Sequence, residues 1–344
     1  MKFLVMGAGG IGGIVAAGLH EAGRDVLAFT TNGAIAEAVR QNGFRLRGAE
    51  RSRAVRGRIT TAPPEGPFDV VVLCTQPPQV EEAAAMASRA LAEGGVMICL
   101  QNGLCEARVA RVVGAHRTLG AVVTWGAAMP EPGVYDRTAR GGFALGSMSA
   151  ASQPSLEPVA RALAAVAPVE LTSNLAGRRW SKLAINAAIS SLGTIGGDRV
   201  GALMRHAFVR RLALEVMTEA ARVARAEGVA LERVSGLDLD WLALGEHEAR
   251  GSASPSLAAK HALLLGVGIR YRRMRSSMLA AIERGRPPAV DFLNGEITQR
   301  AAAHGIAAGL NAAVSRAVWA IARNEMSPGT AALRSLFDAS QAKR

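Results

Sequence analysis

The strand-like run Lys2–Met6 leads directly into Gly7-Ala8-Gly9-Gly10-Ile11-Gly12, and a helical apolar period follows over Ile11–Ala22. No other stretch constrains the fold as much, because GxGxxG carries meaning where it joins a strand to a helix. Gly7 suits the tight turn. Gly9 lets the backbone approach a pyrophosphate, and Gly12 lets the helix pack close to the sheet. The helix amides and the positive end of its dipole would then hold the phosphates. The same glycines explain why Phe3–Leu19, apolar and preceded by Lys2, does not read as a signal peptide or membrane helix. Six of them interrupt it, including Gly13 and Gly18, and no second apolar span of about 18 residues follows. A soluble, cytoplasmic protein is expected.

The first half continues in the same alternation. Strands are expected at Asp25–Thr30, Val70–Cys74 and Val96–Leu100. Helices are expected at Ala34–Gln41 and at Gln79–Ala92, the latter closed by Gly94-Gly95. Phe44–Thr60 alternates like a hairpin, and short β-rich pieces run from Leu119 to Leu145. A helix over Leu156–Ala167 and a strand at Val169–Leu171 follow. Strands that are apolar throughout belong in parallel sheets covered on both faces. The fold class expected is therefore α/β: an N-terminal Rossmann, doubly wound sheet over residues 1–172. Residues 173–344 read as an all-α domain. Its expected helices are Arg178–Ser191, His206–Glu227, Leu239–Glu248, Ser256–Leu265, Arg275–Arg284, Val290–His304 and Ala312–Asn324, with Gly228 and Gly305 as C-caps. The tail after Met326 carries little signal beyond one or two amphipathic turns.

Lys+Arg 40 against Asp+Glu 28 gives a net charge of +12. Nucleic-acid binding would need more than charge, and no aromatic RNA motif, zinc-finger spacing or basic heptad accompanies it. A solvated basic surface that favours anionic ligands is the simpler reading. Cys74, Cys99 and Cys105 form no CxxC pair and no disulfide framework, so free thiols in a reducing compartment are expected. No metal-ligand spacing occurs, and Glu246-His247-Glu248 reads as solvated helix surface.

An acid at the end of the second strand would bind a ribose hydroxyl and favour NAD. Phe29-Thr30-Thr31-Asn32 has none, so NADP(H) is favoured, with Thr31 at the ribose and Arg24 or Arg40 in reach of a 2′-phosphate. Asn102, just past the Val96–Leu100 strand, stands where open α/β sheets bind ligands; it is equally a plain Asn-Gly turn residue.

In the helical half, Lys182 is one of only four lysines in an arginine-rich chain. A partly desolvated lysine can titrate near neutral pH, which arginine cannot. Lys182, Asn186 and Ser190 fall at i, i+4 and i+8, on one helix face. That row suits a substrate with a carbonyl and a carboxylate; a surface lysine at a helix start is the plainer alternative. Ser276-Ser277 offers a second polar point, or simply an N-cap.

These motifs, with Trp180-Ser181-Lys182-Leu183, Gln101-Asn102-Gly103, Ser276-Ser277-Met278-Leu279, Asp291–Gly295 and Ala303–Ile306, resemble the ketopantoate reductase (2-dehydropantoate 2-reductase) family over roughly residues 1–325. The resemblance implies NADPH as hydride donor, an active site in the cleft of two domains, and a role in pantothenate biosynthesis. It implies that Gly7, Ala8, Gly9, Gly10, Ile11 and Gly12 hold cofactor, with Thr31 joining them from the reading of the second strand. Lys182 would be the general acid, Asn102 would touch both cofactor and substrate, and Asn186 and Ser277 would bind substrate, with Ser190 of the helical row beside them. Four positions depart from the family pattern: Gln76 for a Lys, Ser190 for an Asn, Ala281 for an Asp and Ala289 for a Glu. They cluster at site positions, which points to a changed substrate within the family.

The expected function is NADPH-dependent reduction of a small 2-oxo acid, or of another carbonyl or imine in a paralogue. The alternative is a non-catalytic NADP-binding sensor or partner-binding protein. Alanine-rich helices of the second half could supply a homodimer face.

Overall fold

The computed structural model describes residues 1–48, 52–149 and 155–342. The chain divides into two compact units, Met1–Leu175 and the remainder from Ala176. The first unit opens with β1 (Lys2–Met6), α1 (Gly10–Glu21), β2 (Asp25–Phe29), α2 (Gly33–Asn42), β3 (Phe44–Gly48), β4 (Arg53–Val55) and β5 (Arg58–Thr60). It continues with β6 (Phe68–Leu73), α3 (Val80–Ser88), β7 (Leu91–Cys99), α4 (Glu106–Val113) and β8 (Thr118–Val123). Then come β9 (Gly126–Glu131), β10 (Val134–Ala139), β11 (Phe143–Ser147), α5 (Leu156–Leu163) and β12 (Val169–Leu171).

Among the described residues, an eight-stranded sheet runs β12-β11-β8-β7-β6-β1-β2-β5. The six strands from β8 to β5 are parallel, and β11 turns antiparallel against β8. β1 is central, with Val5 opposite Ala28 of β2 on one side and Val72 of β6 on the other. The chain thus leaves β1 toward β2 and later returns to the far side at β6. Right-handed crossovers in opposite directions put α1 on one face and α3 and α4 on the other. Phe3, Leu4, Val5, Val71 and Val72 are fully buried, as apolar strands covered on both faces must be.

A second, four-stranded sheet, β4-β3-β10-β9, packs on the outer side of α1. That explains why α1 is buried from Gly12 to Leu19 instead of along one stripe. Phe44–Thr60 is a hairpin only in part. β3 and β4 pair antiparallel, but β5 leaves them for the main sheet, parallel to β2. Its Ile59 is buried, and Arg58 donates to the Val26 carbonyl and pairs with Asp25, which anchors the strand there. The glycines expected to close α3 fall inside β7, where pairing with β6 skips from Phe68–Leu91 to Val70–Val96.

The second unit is helical: α6 (Leu175–Gly196), α7 (Val200–Leu203), α8 (Ala207–Ala226), α9 (Leu239–Leu242), α10 (Glu246–Ala249) and α11 (Pro255–Arg270). α12 (Ser277–Ile282), α13 (Asn294–Ala303), α14 (Gly309–Ala322) and α15 (Thr330–Gln341) complete it. α8 is the central helix and touches α9, α11, α13, α14 and α15.

Three expectations change here. Leu239–Glu248 is not one helix. The Leu244 amide donates to Thr218 Oγ1 at 2.8 Å and the Ala243 carbonyl accepts from Lys260 Nζ at 2.8 Å, so outside side chains replace helical bonds. Glu248, expected on a solvated face, is buried and bonded to Lys260 Nζ at 2.5 Å. The tail, which carried little signal, forms α15, a helix of twelve residues whose Leu333 is fully buried. Among the described residues no helix is long and apolar enough to cross a membrane.

Candidate active site

In the first unit the glycine loop joins β1 to α1 at the centre of the parallel sheet, where the strand order reverses. Such a point leaves a crevice at the carboxyl ends of the strands. Gly7 has φ +99°, and a side chain there would press on the backbone of Cys74 and Thr75 at 3.0–3.1 Å. A Cβ at Gly12 would lie 1.8 Å from the Gly7 carbonyl oxygen, so α1 can start this close to β1 only without one. Gly9 differs: a Cβ there meets nothing within 4 Å, and its φ of −73° is ordinary. It is the N-cap of α1, and no side chain caps the first turn. An open backbone beside uncapped amides and a helix dipole fits a diphosphate.

The loop is braced from behind. Tyr135 of β10 donates its hydroxyl to the Ala8 carbonyl at 3.1 Å and is fully buried. A Cβ at Gly13 would lie 2.0 Å from the Tyr135 ring, so Gly13 makes room for the tyrosine. Burial pushes the Tyr135 hydroxyl up and keeps it a neutral donor. Burial likewise pushes up the thiol of Cys74, beside the loop, which removes it as a nucleophile.

Thr31 and Asn102 reach the same edge of the sheet from β2 and β7. Both are exposed. With strands about 4.8 Å apart, the three steps from β2 to β7 separate them by roughly 14 Å, with the glycine loop between. Gln101, next to Asn102, is buried and donates from Nε2 to Thr75 Oγ1 at 3.3 Å, tying the exits of β7 and β6 together. The end of β2 is neutral. Asn32 caps α2 through its Oδ1, and Thr30 and Thr31 are joined by Thr60 and Thr61 from the neighbouring strand β5. That second pair of hydroxyls was not foreseen, because only the parallel β2–β5 pairing brings them there. Neither arginine considered for this corner lies in it. Arg24 precedes β2, at the opposite end of the strand, and Arg40 sits in the last turn of α2 paired with Glu37.

In the second unit Lys182, Asn186 and Ser190 do share one face of α6. All three are half-buried, while Leu183, Ala184, Ala187 and Ala188 face the core. Ser276 is the N-cap of α12, accepting from the Leu279 amide at 3.4 Å. Its hydroxyl also donates to the Ser190 carbonyl at 2.9 Å and contacts Thr194 Oγ1 at 2.8 Å. Ser277 is exposed and emerges next to that junction, so α12 brings it to the Ser190 end of the row. Ala281 and Ala289 are half-buried methyls. Among the described residues no cluster of His, Cys, Asp and Glu is placed to hold a metal ion.

Known proteins share this architecture. The chain is 27% identical over 330 residues to 2-dehydropantoate 2-reductase of Pyrococcus horikoshii, covering 96% of this chain and 99% of that one. It is 29% identical over 308 residues to 2-dehydropantoate 2-reductase of Mycobacterium tuberculosis, covering 88% and 92%. The PanE/ApbA family ketopantoate reductase of Ralstonia eutropha JMP134 superposes with TM-score 0.79 at 26% identity, over 94% of this chain and 99% of that one. D-mandelate dehydrogenase in complex with NADH and anilino(oxo)acetate has the same fold, with TM-score 0.79 at 19% identity over 98% and 99%. Residues 3–150 match the family model for ketopantoate reductase PanE/ApbA and residues 174–322 match its C-terminal counterpart, so the chain belongs to the ketopantoate reductase PanE/ApbA family of oxidoreductases.

Proposed function

We propose that the protein uses NADPH to reduce the ketone of a 2-oxo acid to the 2-hydroxy acid, with ketopantoate as the first substrate to test. Residues 1–172 serve as the cofactor domain and the helical remainder holds the substrate. The backbone of Gly7–Gly12 and the start of α1 would hold the pyrophosphate, the threonines at β2 and β5 the ribose, and Asn102 the nicotinamide side. NADPH is preferred over NADH because that ribose corner carries hydroxyls and no carboxylate. A bound nicotinamide supplies a hydride to the carbonyl carbon.

The carbonyl oxygen becomes an alkoxide as hydride arrives. Lys182 stabilises that charge with its ammonium and transfers a proton to the oxygen; solvent then restores the proton. Positive charge placed where negative charge develops lowers the barrier, and a general acid contributes about 10²–10⁴-fold. Asn186 and Ser190 orient the substrate through hydrogen bonds, and Ser277 adds a donor for its carboxylate. The observation that carries this reading is the half-buried row Lys182-Asn186-Ser190 on α6. The test is NADPH oxidation by the pure protein with ketopantoate and a panel of other 2-oxo acids, with product identified. Turnover no faster than that of Lys182→Ala on every member rejects it.

A second reading rests on Ala289, where the family resemblance implies a carboxylate. Loss of that group suits a protein that binds NADPH without turning it over. Tight NADPH binding with no oxidation across the panel is its signature.

A further inference from the structure

A cavity of about 640 Å³ opens in the helical unit at the start of α8. Arg205, Arg211, Arg334, His206 and His261 line it, and no Asp or Glu does. None of these residues belongs to α6, α12 or the glycine loop. Phe208 and Phe337 form its apolar wall, with ring centroids 5.9 Å apart. The Arg334 guanidinium lies 3.8 Å over the Phe208 ring. Stacking occupies the face of a guanidinium and leaves its N–H edge for a planar or tetrahedral oxyanion.

The arginines differ in their partners. Arg211 donates to Glu215 at 2.6 Å and to the Ala249 carbonyl at 3.0 Å, which holds its position and offsets its charge. Among the described residues, Arg205 and Arg334 have no carboxylate within ion-pair distance. α8 starts at His206 without a side-chain cap, so the positive end of a twenty-residue helix adds to the same field. Burial, and then the charges of Arg210 and Arg211, lower the proton affinity of His261. The acids nearest along these helices are Glu215, bound to Arg211, and Asp338, four residues after Arg334 on α15.

We propose that this cavity binds a phosphate monoester with an aromatic or apolar body, at a site separate from the reductase chemistry. Two uncompensated guanidiniums and a helix N-terminus favour a dianion over a monocarboxylate, and the two rings favour an organic body over a bare ion.

The test uses the full chain and phenyl phosphate as probe, read by the imidazole NMR signals of His206 and His261. Both signals should shift saturably in the millimolar range, and His261 should titrate at higher pH with the probe bound. Inorganic phosphate and phenol should each bind more weakly. Arg205→Gln and Arg334→Gln should each weaken binding about 3- to 10-fold, as loss of one charge-assisted bond does. Asp338→Asn should strengthen it. Arg205 is exposed, so its variant leaves the core intact even where the Arg334 variant loosens α15. Shifts that never saturate, tighter binding of benzoate than of phenyl phosphate, or affinity untouched by Arg205→Gln would overturn the proposal.

Discussion

Ser191 donates its hydroxyl proton to Asn294 Oδ1 across 2.6 Å in the interior of the helical unit, where both residues are fully buried. Asn294 Nδ2 donates in turn to the Ala187 carbonyl at 3.2 Å and to Asn311 Oδ1 at 2.9 Å. Asn311 goes on to Glu219 at 2.7 Å. This chain of bonds holds α6 against α13, α14 and α8, and so holds the helix that carries Lys182. Asn294→Leu leaves the Ser191 hydroxyl and the Asn311 carbonyl oxygen without it. Each stranded buried group costs about 1–3 kcal/mol. Urea unfolding should show that loss, with Ser191→Ala, which strands a single acceptor, costing less.

Two glycines of one loop should respond oppositely to the same change. Gly12→Ala places a methyl 1.8 Å from the Gly7 oxygen, so it should lower the melting temperature and the soluble yield. Gly9→Ala meets no protein atom within 4 Å and keeps an allowed φ, so the fold should be unaffected. Its methyl instead takes space next to the amides of α1. NADPH affinity, measured by titration calorimetry, should fall by an order of magnitude or more while the melting temperature stays put.

Lys182→Ala should lower kcat by about 10²–10⁴-fold on whichever 2-oxo acid is turned over. Lys182→Arg should not restore it, because a guanidinium keeps its proton at neutral pH. Neither change should alter NADPH affinity more than a few-fold, since the role proposed for Lys182 is at the carbonyl oxygen of the substrate. Steady-state kinetics beside cofactor titration separates the two effects.

Introducing a carboxylate at the end of β2 tests the cofactor preference. Thr31→Asp should raise the KM for NADPH at least tenfold through repulsion of a 2′-phosphate, and raise that for NADH far less. Equal effects on both cofactors would remove Thr31 from the ribose corner.

Acid should reveal the buried Lys260–Glu248 pair. Burial alone would raise the Glu248 carboxyl, but the Lys260 ammonium, the Gly245 amide and the hydroxyls of Ser254 and Ser256 outweigh it and hold it down at about 2. A carboxyl depressed on folding stabilises the protein above its unfolded pKa of about 4.5, and that stability is lost as pH falls toward 2. Wild type should therefore lose more stability than Glu248→Gln between pH 5 and pH 2. Paired urea titrations across that range measure the difference.

Much of the architecture was legible from local pattern. Phe3–Met6 and Val70–Leu73 are apolar throughout because helices cover both faces of their sheet, and the glycine spacing marked the turn at its centre. The Lys182-Asn186-Ser190 row followed from helical periodicity alone. What stayed hidden depended on partners far along the chain. Glu248 looked solvated because its counter-charge, Lys260, comes twelve residues later. The break at Ala243–Gly245 follows from bonds to Thr218 and Lys260 that no local propensity encodes. Thr60 and Thr61 reach the end of β2 only through the β2–β5 pairing. α15 was faint because its one fully buried residue, Leu333, is too little to set a period.

The tyrosine wedged behind the glycine turn has a kinetic corollary. A receptor already rigid before its guest arrives spends little of the binding free energy on ordering itself. Encounter should then proceed as simple one-step docking at the phosphate end. Trimming Tyr135 to Phe would keep the ring beside Gly13 but delete the bond to the Ala8 carbonyl, and should slow the capture of nucleotide.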